Sequence, residues 1–539
     1  MDIERQIKEK IIDAFKQYDI QLQLNDVVIE RSKDKLHGDY ASNVALKNSR
    51  LFSKPPREVA QLIIDKLDMS GIDKVEIAGP GFINFFMKHD SLQAVVKKII
   101  NEFDNYGRGD RKNKKINVEF VSANPTGTLH IGHARGAAIG DVICRLYEFA
   151  GYDVTREYYI NDAGSQINNL ALSLDARYRE ALGLPFELPK DGYHGDDVKN
   201  LAKKLVEEHG DSLLNKEDSL EFYKELGIKL MLAKIVEDLK YFGVTFDVFS
   251  SEKVIRSNNA VEKELEFLKS YIYEEEGAKF LKTTQFLDDK DRVIVKANGD
   301  YTYFLPDIVY HVNKMSRGFD QLIDVLGADH HGYINRMKSA LMMHGYDKDA
   351  LQVELIQMVR IMKGDEEVKI SKRTGNALTL RELCEEVGVD ATRYFFAMRS
   401  ASMHLDFDLQ LALEQSSNNP VYYAQYAHAR LCSVLEQASD IELDLEAKNL
   451  ATQSELSLLK HLIDFSNVVE ESAKERTPYK ITNYIHRTAE LIHAFYTECR
   501  VIDRDNLEIT QSRLALCKAA SIVLKNALTL VGVTAPTHM

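Results

Sequence analysis

His130 and His133 stand three residues apart around Gly132, at the end of the run Asn124-Pro125-Thr126-Gly127-Thr128-Leu129-His130-Ile131-Gly132-His133. The run reads as a loop entering a helix. On a helix this spacing puts both rings on one face, within reach of one ligand. A helix N-terminus offers unpaired N–H groups and a positive dipole, both suited to phosphate. Two imidazoles there can donate to charge that builds on phosphorus. Gly132 lets a base or sugar come close to the backbone. A single histidine would read as an ordinary surface or core residue; two at this junction, with this glycine, point to ATP.

A second group is Lys369-Ile370-Ser371-Lys372-Arg373-Thr374-Gly375-Asn376, within a loop that opens at Lys363-Gly364-Asp365-Glu366-Glu367. A lysine-rich loop suits a leaving pyrophosphate. Taken alone, it reads better as a solvated charge run.

The elements around the first group read as a βαβ unit. Ile116 to Val121 is a buried strand. Ile131, Ala134, Ala138, Val142, Leu146 and Phe149 recur at helical spacing, and Val154 to Ile160 is a second strand. Such a unit implies parallel strands with a right-handed crossover, and ligands bind at the C-terminal ends of such strands. Sheet-like runs return at 293–296, 321–326 and 352–356, after a charge-rich helical insertion over 168 to about 245.

Residues 1–107 read as a separate α+β unit. Ile7, Ile11, Ile12 and Phe15 mark an amphipathic helix, Ser53 caps a helix opened by Pro55-Pro56, and a strand pair flanks Gly79-Pro80-Gly81. Arg108, Arg111, Lys112, Lys114 and Lys115 mark the boundary, either as a basic face or as a solvated linker. After Phe407 strand signals vanish. The stripe Leu516, Ala520, Val523, Leu524, Ala527, Leu528 and Val531 reads as the core of a helical bundle. The expected fold is α/β: a Rossmann-like parallel-sheet domain with helical insertions over 108–405, after the N-terminal α+β domain and before an all-α domain over 406–539.

Composition excludes several classes. With 45% hydrophobic and 28% charged residues over 539 positions, the chain can bury a large core. A net charge of −14 argues against nonspecific nucleic-acid binding, without excluding a nucleic-acid partner held by a local basic face; no DNA partner is expected. No run of about 18 apolar residues suggests a membrane span, and the acidic start does not read as a signal peptide. Five scattered cysteines, without C-x-x-C or H-E-x-x-H spacing, suggest free thiols in a reducing cytoplasm and no structural zinc.

Taken together and in this order, the two groups resemble the HIGH and KMSKS motifs of class I aminoacyl-tRNA synthetases, with Ile370 at the second position and Arg373 at the last. The resemblance is closest to the bacterial arginyl-tRNA synthetases. Ser122-Ala123-Asn124-Pro125-Thr126-Gly127, Asn161-Asp162-Ala163-Gly164-Ser165-Gln166, Gly327-Ala328-Asp329-His330-His331-Gly332 and Lys372-Arg373-Thr374-Gly375-Asn376 match that family's forms. Gly38-Asp39-Tyr40-Ala41-Ser42-Asn43 and Gly79-Pro80-Gly81-Phe82-Ile83-Asn84 resemble its N-terminal domain. Asn419 to Arg430 resembles its anticodon-binding domain.

The resemblance implies activation of L-arginine by ATP with Mg²⁺, then transfer to tRNA(Arg), by a cytoplasmic protein, and it favours a monomer. His130, His133 and Lys372 fall at catalytic positions. Gly132, Gly327, Asp329, His330, Lys369 and Ser371 fall at ATP positions, with His331 beside them. Glu119, Ser122, Asn124, Tyr303 and Asp307 match the amino-acid pocket; Phe82, Asn84, Tyr422 and Tyr426 match tRNA contacts. Two rival readings are another adenylate-forming nucleotidyltransferase and a non-catalytic RNA-binding relative. The first would not need the flanking domains, and the second would be expected to lose the histidines or Lys372.

Overall fold

In the computed structural model, residues 3–31, 37–193, 195–215, 219–364, 366–368 and 378–539 are described. Strands Lys115–Glu119 (β1), Asp153–Ile160 (β2), Val248–Ser251 (β3), Gln321–Gly327 (β4) and Leu351–Ile356 (β5) form one sheet in the order β5-β4-β1-β2-β3, with every pair parallel. The chain moves outward from β1 through β2 to β3, then resumes on the other side of β1 with β4. The strand order therefore reverses between β1 and β4. The cleft beyond the C-terminal ends of these two strands is where a sheet of this kind receives ligands.

Helix Ile131–Phe149 (α1) links β1 to β2 and is buried along most of its length. Its small residues let it lie close to the sheet. A Cβ at Gly140 would sit 2.4 Å from the Phe120 ring, so glycine is required there. Helix Phe304–Ser316 (α2) covers the opposite half of the cleft and runs into β4.

Three local expectations change. Arg292–Val295 is a strand, but of a separate antiparallel sheet with Ile272–Glu275 and Ala278–Leu281. β3, the short edge strand of the main sheet, was not foreseen; its half-buried VFSS sequence has too little alternation to show. Ser53 does not cap the helix Pro56–Asp65, whose N-cap is Pro55. It closes the preceding helix Val44–Phe52 in a left-handed conformation, φ 51°.

A three-stranded platform follows the main sheet: Val359–Lys363 (β6), Glu366–Glu367 (β7) and Leu405–Asp408 (β8), in the order β7-β6-β8. The N-terminal unit is a four-stranded antiparallel sheet backed by helices, and the pair flanking Gly79-Pro80-Gly81 forms as expected. The C-terminal region is helical from Pro420 to Leu530, and its last helix, Leu507–Leu530, buries the expected apolar stripe. In the basic stretch, Arg108 lies 4.7 Å from the Phe149 ring and Lys112 pairs with Glu470 at 3.0 Å, while Arg111 and Lys114 face solvent. Two of the five residues of that patch are therefore tied down, Arg108 onto α1 and Lys112 to the helical region.

Fully buried Arg393 joins three parts of the chain. It donates to Asp141 Oδ2 at 2.5 Å, to the Phe242 carbonyl at 3.0 Å and to the Val531 carbonyl at 3.2 Å. A Cβ at Gly532 would lie 2.2 Å from that guanidinium, and its φ is +70°, so both space and backbone demand glycine.

Candidate active site

Beyond Glu119 the backbone turns sharply, with Val121 at φ +67° and Ser122 at φ +39°. Positive φ is costly for a β-branched residue, and such strain collects at ligand sites. The Ser122 hydroxyl accepts from the Tyr159 N–H at 3.0 Å and donates to Glu119 at 3.0 Å, which holds the turn. Asn124 donates to Gln166 Oε1 at 2.7 Å.

The turn ends in α1, whose N-cap is His130. Its Nδ1 accepts from the Gly132 N–H at 3.1 Å. A nitrogen that accepts carries no proton, so His130 is the tautomer with its N–H at Nε2. The two imidazoles stack, ring centres 3.7 Å apart at 25°. Burial lowers the pKa of His130. Burial, then the neighbouring His130, lowers His133 to about 4. Both rings are therefore neutral near pH 7 and offer N–H groups rather than charge. The Nδ1 of His133 is buried with no partner among the described residues.

Lys369, Ser371 and Lys372 lie outside the described residues, but both sides of their loop are defined. β6 and β7 lead into it, and it returns at Thr379, which bridges His130 in antiparallel fashion. The Leu380 N–H donates to the Leu129 carbonyl at 2.8 Å. Thr379 also caps the helix Leu380–Val387 through a reciprocal capping box with Glu382. The second motif's exit is thus pinned to the first motif's turn.

Arg135 fastens α1 to the platform. It is fully buried and donates to the carbonyls of Gln357 and Met403, both at 2.8 Å, and of Ser400 at 2.9 Å. Burial lowers its pKa to about 10, so it remains charged at neutral pH.

The other side of the cleft is built on charge. Asp324 on β4, Glu119 on β1 and Glu157 on β2 are in register across three strands. α2 lays three cations at a three-residue spacing against them: His311, Lys314 and Arg317, the last just past the helix end. Lys314 pairs with Glu119 and, at 3.0 Å, with Asp324. Arg317 meets Glu157 at 2.6 Å; Asn117, Ser250 and Tyr310 donate to the same carboxylate at 2.6, 2.6 and 2.9 Å. Burial opposes the charge on Lys314, but Asp324 and Glu119 outweigh it and raise its pKa. Burial likewise opposes the charge on Asp324, and Lys314 and His311 outweigh it and lower its pKa.

Asp307, one turn before His311, stands outside these pairs. Its carboxylate has no hydrogen bond among the described residues. Burial raises its pKa to about 7, with Glu119 and Glu252 adding to the effect and His311 and Arg336 opposing it. Tyr303, the N-cap of α2, is 90% exposed at the rim.

Gly327, Asp329 and His330 follow β4, across the reversal point from the His130 turn. A Cβ at Gly327 would lie 2.6 Å from Asp329 Oδ1, and the His330 ring stands 3.6 Å from Asp329. His331 lines a neighbouring cavity with Glu354 and Arg476. The tRNA candidates lie elsewhere. Phe82 is 36% exposed at the start of its strand, whereas Asn84 is 3% exposed. Tyr422 and Tyr426 stack 6.2 Å apart at 7°, and Tyr426 continues onto His493 at 5.9 Å. Tyr423, on the same helix, packs against His486 and His493.

Sequence reasoning missed Arg135, Glu157, Asn117, His311, Lys314, Arg317 and Asp324. A signal for the last four was present: histidine, lysine and arginine at a three-residue spacing, followed by a strand with an internal acid. Their partners sit on strands far apart in sequence, so the pairing itself could not be read.

A class I synthetase core is what a parallel sheet, a double-histidine helix turn at its reversal point and a second motif returning to that turn define. The sequence matches "tRNA synthetases class I (R), catalytic domain" over residues 95–432, "Arginyl tRNA synthetase N terminal domain" over 1–87 and "DALR anticodon binding domain" over 424–539. It is 51% identical over 557 residues to the arginine–tRNA ligase of Geobacillus kaustophilus, covering 100% of both chains. It is 51% identical over 528 residues to that of Bacillus subtilis, covering 96% of this chain and 95% of the relative. A solved structure described as a putative arginyl tRNA synthetase from Campylobacter jejuni superposes with a TM-score of 0.78 at 35% identity, covering 84% of this chain and 100% of that one. The Thermus thermophilus arginyl-tRNA synthetase has the same fold, with a TM-score of 0.77 at 21% identity over 100% of both chains. The chain belongs to the arginyl-tRNA synthetase family of class I.

Proposed function

We propose that this chain is an arginine–tRNA ligase that activates L-arginine with ATP and passes the arginyl group to tRNA(Arg). The observation that carries the substrate is Asp307: an ionisable, half-buried carboxylate left without a hydrogen-bond partner among the described residues, beside three strand carboxylates matched by the three cations of α2. One further cation suits such a place, and a guanidinium presents planar paired donors to a carboxylate. Tyr303 at the N-cap of the same helix and the Glu119–Ser122 turn are read as the remaining walls of the arginine pocket.

In the first step a carboxylate oxygen of arginine attacks the α-phosphorus of ATP. The bond from that phosphorus to the bridging oxygen breaks, and pyrophosphate leaves. The attacking carboxylate is already ionised at neutral pH, so no general base is required. Catalysis reduces to positioning and to donors aimed at the phosphoryl oxygens. The neutral N–H groups of His130 and His133 supply such donors, Gly132 leaves room for the nucleotide, and Gly327, Asp329 and His330 border its adenosine. Lys372, assisted by Lys369 and Ser371, takes the pyrophosphate side. Mg²⁺ would come with the nucleotide as part of that substrate and would offset the charge on its phosphates. In the second step the terminal ribose hydroxyl of tRNA attacks the adenylate carbonyl and AMP leaves.

Phe82 in the N-terminal domain, with Asn84 beside it, and the Tyr422–Tyr426 pair in the helical domain are offered as tRNA contacts, because exposed aromatic faces take up unstacked bases. ATP–pyrophosphate exchange with each amino acid, with and without tRNA, tests the reading. Exchange that depends on arginine is expected, at least when tRNA is present; exchange indifferent to arginine in both conditions would sink it. Lys372→Ala should slow activation far more than it weakens arginine binding.

A further inference from the structure

His311 is fully enclosed, yet both its ring nitrogens face acceptors. Nδ1 lies 2.7 Å from the carbonyl oxygen of Asp307 and Nε2 lies 2.7 Å from Asp324 Oδ2. A carbonyl oxygen can only accept, and the Asp324 carboxylate, also paired with Lys314, is ionised. Each nitrogen must therefore carry a proton, and the ring is an imidazolium. Burial opposes that charge, and Asp324 outweighs it.

The groups facing this ring come from four elements. α2 itself contributes Asp307, Tyr310 and Lys314. β4 contributes Asp324, β1 contributes Glu119, and the turn 328–333 contributes Tyr333, whose ring lies 6.1 Å away. The register explains why a third cation belongs here. Three strand carboxylates meet Lys314 and Arg317, and one negative charge would remain inside the sheet face without His311. That excess would lie next to Asp307 and disfavour its ionisation.

Building on the arginine reading above, we infer that His311 is a positioning residue for the substrate's guanidinium. As a permanent imidazolium it balances the carboxylates behind the pocket and clamps the first turn of α2, so that Asp307 alone presents an unpaired negative charge to the substrate. It touches Asp307 only through the backbone and does not touch the arginine. Glu252 and Arg336 also act on Asp307, the first raising and the second lowering its pKa, and His311 adds to the second effect.

The test is the pH dependence of arginine binding. In the unaltered enzyme the arginine KM in exchange assays should rise below a midpoint near the Asp307 pKa of about 7. In His311→Asn, a neutral replacement, that midpoint should move up by about one pH unit. The kcat at saturating arginine and the KM for ATP should change by no more than about twofold. An unmoved midpoint, or an equal loss at every pH, would overturn the inference and leave His311 a structural residue. Neutron diffraction on the unaltered protein at about pH 8, well above the ordinary histidine pKa, supplies a readout that needs no variant. Deuterons on both ring nitrogens are expected, and one bare nitrogen would overturn the assignment. An enzyme indifferent to arginine at all pH values defeats the functional reading and this inference together. One that uses arginine with the same midpoint in both forms defeats this inference alone.

Discussion

The two sides of the cleft solve opposite electrostatic problems. Around His130 and His133 the described side chains are neutral, stacked and partly open, and one buried nitrogen has no partner. Around Asp307 the strand carboxylates are enclosed and matched by the cations of α2. The difference follows the ligand. Charge on a transferring phosphoryl group is redistributed during reaction, and neutral donors can follow it without a fixed counter-charge holding them back. A guanidinium carries the same charge from start to finish, so its pocket can be set in advance by pairing every buried charge but one. Enclosing charges is costly unless each finds a partner, which explains the density of hydrogen bonds on that side.

The largest effect should come from removing the unmatched charge. Asp307→Asn should raise the arginine KM by about 100-fold or more, since stripping one partner from a buried charge pair costs about 3–5 kcal/mol. Steady-state exchange over a wide range of arginine concentration measures it, and an unchanged KM would break the contrast between the two sides. His133→Ala should instead lower kcat about 100-fold while arginine KM moves little, as for loss of one preorganised donor. Single-turnover adenylate formation separates the two parameters.

The pH profiles should diverge as well. Burial raises the Asp307 pKa from 3.8 to about 7, and the substrate cation binds the ionised form. Arginine KM should therefore rise about tenfold for each pH unit below the midpoint and level off above it. The arginine-free fold gains stability as pH falls from 7 toward 4, because the folded protein holds a proton that the unfolded chain releases. That gain is lost as pH rises through 7. The histidines, already neutral, should leave kcat flat from about pH 7 to 8. The smallest effect on arginine binding is expected at Arg317. Glu157 keeps three neutral donors but loses its counter-charge, so Arg317→Met should lower stability by about 3–5 kcal/mol, read by chemical denaturation, and raise the arginine KM less than Asp307→Asn does.

Much of the frame was legible beforehand, for definite reasons. The βαβ unit at 116–160 could be read because apolar periods of two and 3.6 are local. The His130–His133 turn could be read because its residues are contiguous. The strand 248–251 escaped because four half-buried residues carry almost no period. Ser53 was assigned to the wrong helix because a serine can stand beside either end, and only its left-handed backbone decides between them.

The sequence by itself determined the order of elements, the double-histidine turn at the head of α1 and the family resemblance, since each lies in a contiguous run. Only the tertiary structure decided that Asp324, Glu119 and Glu157 share one row, that α2 answers them with three cations, and that Asp307 is left over. Strand order and register bring together residues up to about 200 positions apart. The charge state of each buried group depends on which others lie beside it, and no local pattern records that.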